Sequence, residues 1–283
     1  MQCEFKLNTD NPLVSIVIPT KNRPALLKKT IESVLVQTFQ EWEIIIVYNS
    51  SDENTEKQIT NFIKDEPRIK FFNVPESKTG GISEYLNFGI IRSNGKYIAR
   101  LDDDDIWCTR DKLRKQVDFF DSNKDHVITG GGVIMVDPDG NELYRYFKNE
   151  NDERIRKKAL LACPMEHTTV MFRKEIALKA GCYGNYRVAE DWDFFLRLGE
   201  YGKFYNFQEY FTHYMQGEHN LSLRDQGEVA RTEMGIIIKH RKTYPLYLYG
   251  LSIHFVQYLY SFFPEFVKDR LQFFLRYLKR NYL

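Results

Sequence analysis

Through the first hundred residues, short apolar runs alternate with apolar positions at helical spacing. Val14-Ser15-Ile16-Val17-Ile18 is almost wholly apolar and closes at Pro19, the pattern of a strand buried on both faces. Asn22-Arg23-Pro24 then opens a segment with Leu27, Ile31, Val34 and Leu35 spaced for one face of a helix. The unit repeats: an apolar strand at 43–47, a polar stretch at 48–54, and a helix carrying Ile59, Phe62 and Ile63 that ends near Pro67. A third strand at 69–74 leads through Gly80-Gly81 into a helix at about 82–92. Asn94-Gly95 then turns the chain into a strand at 96–101 that runs onto four aspartates. Strands separated by helices need crossover connections, which predicts an α/β fold with a mostly parallel central sheet. Ligands of such sheets bind beyond the carboxyl ends of the strands. Those ends hold residues 19–23, 48–52 and 102–105.

The second half is more mixed. It reads as a strand at 127–136, a hairpin turn at Asp137-Pro138-Asp139-Gly140, a strand at 168–173 and a helix at 189–201. No internal repeat, low-complexity linker or clean boundary interrupts it before an aromatic tail. The expected division is a catalytic domain at 1–235, with a nucleotide-binding part at about 12–106 and an acceptor part at about 107–235, followed by a C-terminal amphipathic helical extension at 236–283.

Composition narrows the partners. The 283 residues are 43% hydrophobic and 28% charged, ordinary for a globular chain. Lys plus Arg is 40 against Asp plus Glu at 39, so the basic footprint of a nucleic-acid binder is missing. Cys3, Cys108, Cys163 and Cys182 form no C-x-x-C pair, which argues against a zinc or redox motif and fits a reducing cytosol. Residues 1–11 lack the apolar core of a secretory signal, so a cytoplasmic location is expected.

Four successive aspartates after a buried strand repel one another unless a cation or hydrogen-bond donors neutralise them. In extended chain Asp102 and Asp104 project to the same side and can address one Mg²⁺ or Mn²⁺ while substrate phosphates complete its shell. The plainer alternative is a solvated acidic turn before the helix that begins near Arg110. An EF-hand is excluded by the missing alternating ligands, glycine and terminal glutamate. A dinucleotide oxidoreductase lacks its glycine fingerprint.

The ordered set 14–23, Ser33-Val34-Leu35-Val36-Gln37-Thr38-Phe39, Asn94-Gly95 with 96–105, and Glu190-Asp191-Trp192-Asp193 resembles family 2 of the glycosyltransferases over roughly residues 12–223. The resemblance implies a GT-A fold, the Rossmann-like fold of nucleotide-diphospho-sugar transferases. It also implies inverting transfer from a nucleotide-diphosphate sugar held with a divalent metal, as in bacterial surface-polysaccharide synthesis. The acceptor is then a saccharide or a lipid-linked saccharide. By the same resemblance Asp104 is the metal ligand, with His219 near the metal or the donor phosphates. Asp102 contacts the donor ribose or sugar, and Asp103 or Asp105 helps fix the loop. Asp191 is the base that takes the acceptor's proton, with Glu190 or Asp193 orienting its neighbours; its plain alternative is an acidic helix N-terminus. Glu190, Trp192 and His167 are assigned to the acceptor side, His167 having a hydrogen-bonded core role as alternative. Pro19, Lys21, Arg23, Asn49 and Gly81 are assigned to the donor side. Asn49 stands where the family has an aspartate, in Tyr48-Asn49-Ser50-Ser51-Asp52, so it either meets the nucleobase edge or makes an Asx turn. A UDP-sugar is the favoured donor. The rival is a catalytically inactive protein of the same fold that binds nucleotide sugar or saccharide.

The tail stands apart. Residues 246–263 contain no Lys, Arg, Asp or Glu but are too short and too polar to be read as a membrane span. Lys239, Arg241 and Lys242 precede them, and Lys268, Arg270, Arg276, Lys279 and Arg280 follow among Phe266, Leu271, Phe274, Leu275 and Leu278. Residues 245–283 therefore either lie on an anionic membrane surface, at the cytoplasmic face of the inner membrane, or pack on the catalytic domain or on a second copy in a homo-oligomer.

Overall fold

The structure is a computed structural model that describes residues 12–75, 81–217 and 225–264. The first elements follow in the expected order: β1 (Val14–Thr20), α1 (Pro24–Leu35), β2 (Trp42–Tyr48), α2 (Glu53–Ile63), β3 (Ile69–Asn73), α3 (Ile82–Arg92) and β4 (Tyr97–Arg100). Then come β5 (Ile106–Trp107), α4 (Lys112–Ser122), β6 (His126–Val136), β7 (Glu142–Tyr146) and α5 (Asp152–Lys158). A 3-10 turn (His167–Thr169), β8 (Met171–Arg173), α6 (Lys174–Lys179), α7 (Glu190–Gly199) and β9 (Lys203–Met215) follow. Helices α8 (Gln226–His240) and α9 (Tyr247–Ser261) end the described chain.

One sheet takes the order β3-β2-β1-β4-β8-β6-β9-β5, with β7 beside β6. The parallel block is β3-β2-β1-β4. Beyond β4 the sheet becomes mixed: β8 joins antiparallel to β4 and to β6, while β9 runs parallel to β6. The largely apolar runs are explained by cover on both faces, and their buried polar members, Ser15 and Glu43, bond each other at 2.6 Å. Ile16, Ile18, Ile44 and Ile46 pack with Leu27, Ile31 and Val34 on one side, and Val17, Ile45 and Val47 pack with Leu86 and Ile90 on the other. Each such side chain contributes about 1.5–3 kcal/mol by leaving water.

Three details differ from the sequence reading. β1 does not stop before Pro19 but continues to Thr20. Pairing of β1 with β4 ends at Val17 and Arg100, so the missing N–H of Pro19 faces an edge that has already opened. The strand expected at 168–173 is shortened because His167–Thr169 winds into the 3-10 turn. Finally, α8 runs unbroken through residues 235 and 236, and Ile236 and Ile237 share a buried cluster with Phe194 and Leu198 of α7.

Candidate functional site

The loops that leave β1, β2 and β4 meet at the carboxyl ends of the parallel strands. Thr20 at the end of β1 donates its hydroxyl to Asp103 Oδ2 at 2.7 Å. Arg23 Nη1 reaches Asp103 Oδ1 at 3.3 Å and Asp104 Oδ2 at 2.9 Å. Lys21, between them in sequence, is exposed at the mouth. Tyr48 OH donates toward Asn22 Oδ1 and the Asp52 carbonyl, both at 3.0 Å, tying the first two loops together. Asp52 caps α2 by accepting from Asn54 N–H at 3.0 Å and Thr55 hydroxyl at 2.6 Å.

Asn49 resolves one alternative. Its backbone N–H donates to Thr20 O at 3.1 Å, but its side-chain Oδ1 is buried with no hydrogen-bond partner among the described residues, so it closes no Asx turn. A buried acceptor without a donor costs stability unless something else satisfies it.

The four aspartates do not stay extended. Asp105 N–H donates to Asp102 O at 3.3 Å, closing a turn, and Met215 N–H donates to Asp105 Oδ1 at 2.9 Å. The expectation that Asp102 and Asp104 project together from an extended chain is corrected: the turn directs each carboxylate to a different partner. Asp102 pairs with the buried Arg100, Nη2 to Oδ1 at 2.5 Å. Burial pushes Asp102 up, but Arg100, His167 and Arg23 together hold it below the usual carboxylate range. Asp103 is pushed up by burial, against Thr20 and Arg23. Asp104 is pushed up to about 6, by burial first and then by the charges of Asp102 and Asp103. Asp105, buried, is pushed well up by burial and by the charges of Asp102 and Asp104.

The second acidic group opens α7. Asp191 Oδ1 accepts from Trp192 N–H at 2.8 Å, and Cys163 Sγ lies 3.7 Å from its Oδ2. Burial, joined by the charge of Glu166, pushes Asp191 up to about 6 against the pull of Lys148. Glu190 is pushed up to about 8 by burial and by Asp191, while Arg100 opposes the shift. Arg100 thus acts on both Asp102 and Glu190, so one buried guanidinium lies between the aspartate turn and the start of α7.

The other expected residues divide. His167 Nε2 is 2.7 Å from Tyr183 OH, and burial together with Arg100 lowers it to about 3, which keeps it neutral beside Asp102. Gly81 is the N-cap residue of α3, with Tyr186 O 3.4 Å from the place a Cβ would take. Pro19 lines the open edge described above. Trp192 is corrected: it is 1% exposed, its indole N–H donates to Ala159 O at 2.8 Å, and its ring meets His254 of α9 at 5.3 Å, so it secures α7 instead of facing an acceptor. Asp193 is likewise internal, bonded to Arg197 at 2.8 Å, Lys239 at 2.6 Å and His240 at 3.0 Å. His219, Thr79 and Gly80 lie outside the described residues.

Sequence reasoning missed Thr20, Arg100 and the Lys148–Glu166 ion pair, Nζ to Oε1 at 2.9 Å. Arg100 carried one usable signal, a charge inside an otherwise apolar strand. The Lys148–Glu166 pair joins two loops that only the fold brings together.

Among the described residues no group of three or more His, Cys, Asp or Glu is arranged to hold a metal alone. The oxygen donors of the aspartate turn are nevertheless of the type that suits a hard divalent cation.

A family model described as Glycosyl transferase family 2 matches residues 15–180, more than half of the chain and the stretch that holds β1, the aspartate turn and β8. The chain belongs to glycosyltransferase family 2. Among curated relatives, the amylovoran biosynthesis glycosyltransferase AmsE of Erwinia amylovora is 30% identical over 190 residues, covering 67% of this chain and 70% of that protein. The O-antigen biosynthesis glycosyltransferase WbnJ of Escherichia coli is 27% identical over 187 residues, covering 66% and 71%. A longer uncharacterised glycosyltransferase of Rickettsia bellii is 33% identical over 158 residues, which are 56% of this chain and 22% of that one. Among solved structures, the mannosyltransferase PcManGT of Pyrobaculum calidifontis, in complex with GDP-Man and Mn²⁺, has a TM-score of 0.62 at 13% identity over 87% of this chain and 74% of its own. The 1–349 part of S. aureus TarS, in complex with UDP-GlcNAc, has a TM-score of 0.60 at 18% identity over 88% and 72%. These neighbours carry the GT-A fold. The family 2 transferase described here shares it, with its α8–α9 helical region appended.

Proposed function

We propose that this glycosyltransferase moves a sugar, with inversion, from a nucleotide-diphosphate sugar, UDP-linked by preference, to a hydroxyl of a saccharide or lipid-linked saccharide in surface-polysaccharide synthesis. The observation that carries the reading is the aspartate turn at the carboxyl end of the sheet, held by Thr20 and Arg23 and linked through the charge of Arg100 to Glu190 at the start of α7. The names of AmsE and WbnJ support the polysaccharide setting, and the UDP-GlcNAc complex of TarS supports the donor class.

On this reading the orphaned Asn49 Oδ1 accepts from the nucleobase, and Pro19 and Gly81 let the nucleotide approach closely. Lys21 and Arg23 meet the diphosphate, and Asp102 takes the ribose or sugar. Asp103, fixed by Thr20, shapes the turn. Asp104, with His219, holds Mg²⁺ or Mn²⁺. A divalent ion bound there offsets the charge that grows on the departing diphosphate. Asp191 takes the acceptor proton as the acceptor oxygen bonds to the anomeric carbon. The bond from that carbon to the diphosphate breaks, and its electron pair leaves with the nucleoside diphosphate. Glu190, held protonated near neutral pH, orients the neighbouring acceptor groups.

The test is nucleoside diphosphate release from UDP-, dTDP- and GDP-sugars with Mn²⁺ or Mg²⁺ and an added saccharide acceptor, comparing the wild type with Asp104→Asn. Metal-dependent turnover of one donor that falls at least a hundred-fold in the variant supports the assignment. A donor that binds but is never consumed supports the binding-protein alternative. Failure of every donor to bind overturns both.

A further inference from the structure

We infer that α9 is a docking surface for an anionic lipid bilayer. The surface itself rests on geometry and composition.

α9 is seated by one side of the helix. Gly250 lies so close to Leu160 O that a Cβ there would stand 2.2 Å away, which only glycine permits. His254 Nε2 is 3.2 Å from Leu161 O, and its Nδ1 is 2.9 Å from Glu233 Oε2 on α8. The other side is apolar and uncovered by any described residue. Leu248, Tyr249, Phe255, Val256, Leu259 and Phe262 recur at helical spacing and are between 47% and 67% exposed. Half of the large hydrophobic side chains exposed among the described residues fall in positions 246–263. An apolar face this continuous marks a binding surface rather than ordinary exposure.

The surroundings select the occupant. No Asp, Glu, Lys or Arg occurs at 246–263. Arg241 and Lys242 are exposed just before the helix, and exposed Lys157 lies three positions before the Leu160 carbonyl that seats Gly250. The nearest acid on α8, Glu233, is consumed by His254. Arg241, Lys242 and the exposed Arg231, whose guanidinium donates to Tyr258 OH at 3.2 Å, outnumber the exposed Asp225 at the start of α8, and an apolar face with a mainly basic rim fits anionic headgroups above acyl chains. Tyr247, Tyr249, Tyr258 and Tyr260 place amphipathic rings in the same stretch, as interfacial helices do. The helix lies on the bilayer and does not cross it, since no described helix is long and apolar enough to span.

The seating connects to the site. His254 of α9 meets Trp192 at 5.3 Å between ring centroids, and Trp192 follows Asp191 directly. α9 is therefore packed through His254 against the helix that Glu190 and Asp191 open.

The experiment is flotation of the full chain with vesicles of phosphatidylcholine alone and of phosphatidylcholine with phosphatidylglycerol, at low and high salt. Light scattering and UDP titration of the same samples accompany it. The wild type is expected to float with the anionic vesicles alone and to be released by salt. Leu248→Ser with Phe255→Ser and Leu259→Ser is expected to weaken flotation at least ten-fold, and Arg241→Ser with Lys242→Ser about five-fold per charge removed. UDP affinity is expected to stay unchanged in both variants, which separates failure of docking from failure of the nucleotide site. If the wild type ignores anionic vesicles, if the apolar triple variant floats as well as the wild type, or if that variant instead splits a wild-type dimer, the inference is overturned. The charge variant keeps the test decisive should the triple variant unfold.

Discussion

The Arg23 guanidinium stands 2.9 Å from the Asp104 carboxylate although 81 positions separate them in sequence. It brings a cation from the loop after β1 to the aspartate that burial and like charge push up to about 6. Arg23→Ala removes an influence that lowers Asp104, so its pKa is expected to climb further. The variant should then need a higher pH for metal-dependent UDP binding. Calorimetric titration of UDP with Mn²⁺ across pH 5 to 8 checks this; an unshifted pH dependence would count against the Arg23–Asp104 coupling.

Asp191→Asn is expected to lower kcat by about 10²–10⁴-fold while leaving UDP affinity intact, because the amide keeps the size and loses the base. In the wild type the base works only when ionised, and its pKa is raised to about 6. The rate should therefore rise with pH through about 6 and level above it. A flat acid limb would remove Asp191 from the role.

Glu190 offers a stability test. Its folded pKa is raised to about 8 from an ordinary 4.5, so between those values the folded chain holds a proton that the unfolded chain has released. Stability attributable to this group is therefore greatest below pH 4.5 and declines as pH rises toward 8. Glu190→Gln should raise Tm at pH 8 and leave it nearly unchanged at pH 5, measured by thermal melts without metal or nucleotide. A variant that melts lower than the wild type at pH 8 would contradict the assignment.

Asp193 works in the opposite sense. Burial alone would raise it, but His240, Lys239 and Arg197 hold it far below the carboxylate range. Its contribution is full above the unfolded value of 3.8 and is lost as pH falls below it. Asp193→Ala leaves Arg197 and Lys239 without their carboxylate and His240 Nε2 without its partner, and should cost about 3–5 kcal/mol in urea unfolding at pH 7. A loss below 1 kcal/mol would mean that α8 does not depend on this anchor.

The sequence by itself determined the parallel half of this protein and the places where its chemistry gathers. A strand covered on both faces is apolar at nearly every position, so 14–18 and 43–47 announce themselves despite Ser15 and Glu43, and the residues that end such runs mark the ligand side of the sheet. The hairpin at 137–140 was equally legible, since Gly140 takes the positive φ of 88° that its turn demands. The tertiary structure alone decided which polar residues serve the site and which serve the core. Trp192 and Asp193 sit beside Asp191 in sequence, yet helical geometry turns them toward Ala159, His254 and α8. Arg100 reads as one more strand residue until Asp102 and Glu190 are seen around it. The aspartate turn was misread as extended because the N–H that fixes Asp105 belongs to Met215, 110 positions away. Periodicity reports the neighbours that a residue has along its own element, whereas burial and charge depend on neighbours that chain folding supplies.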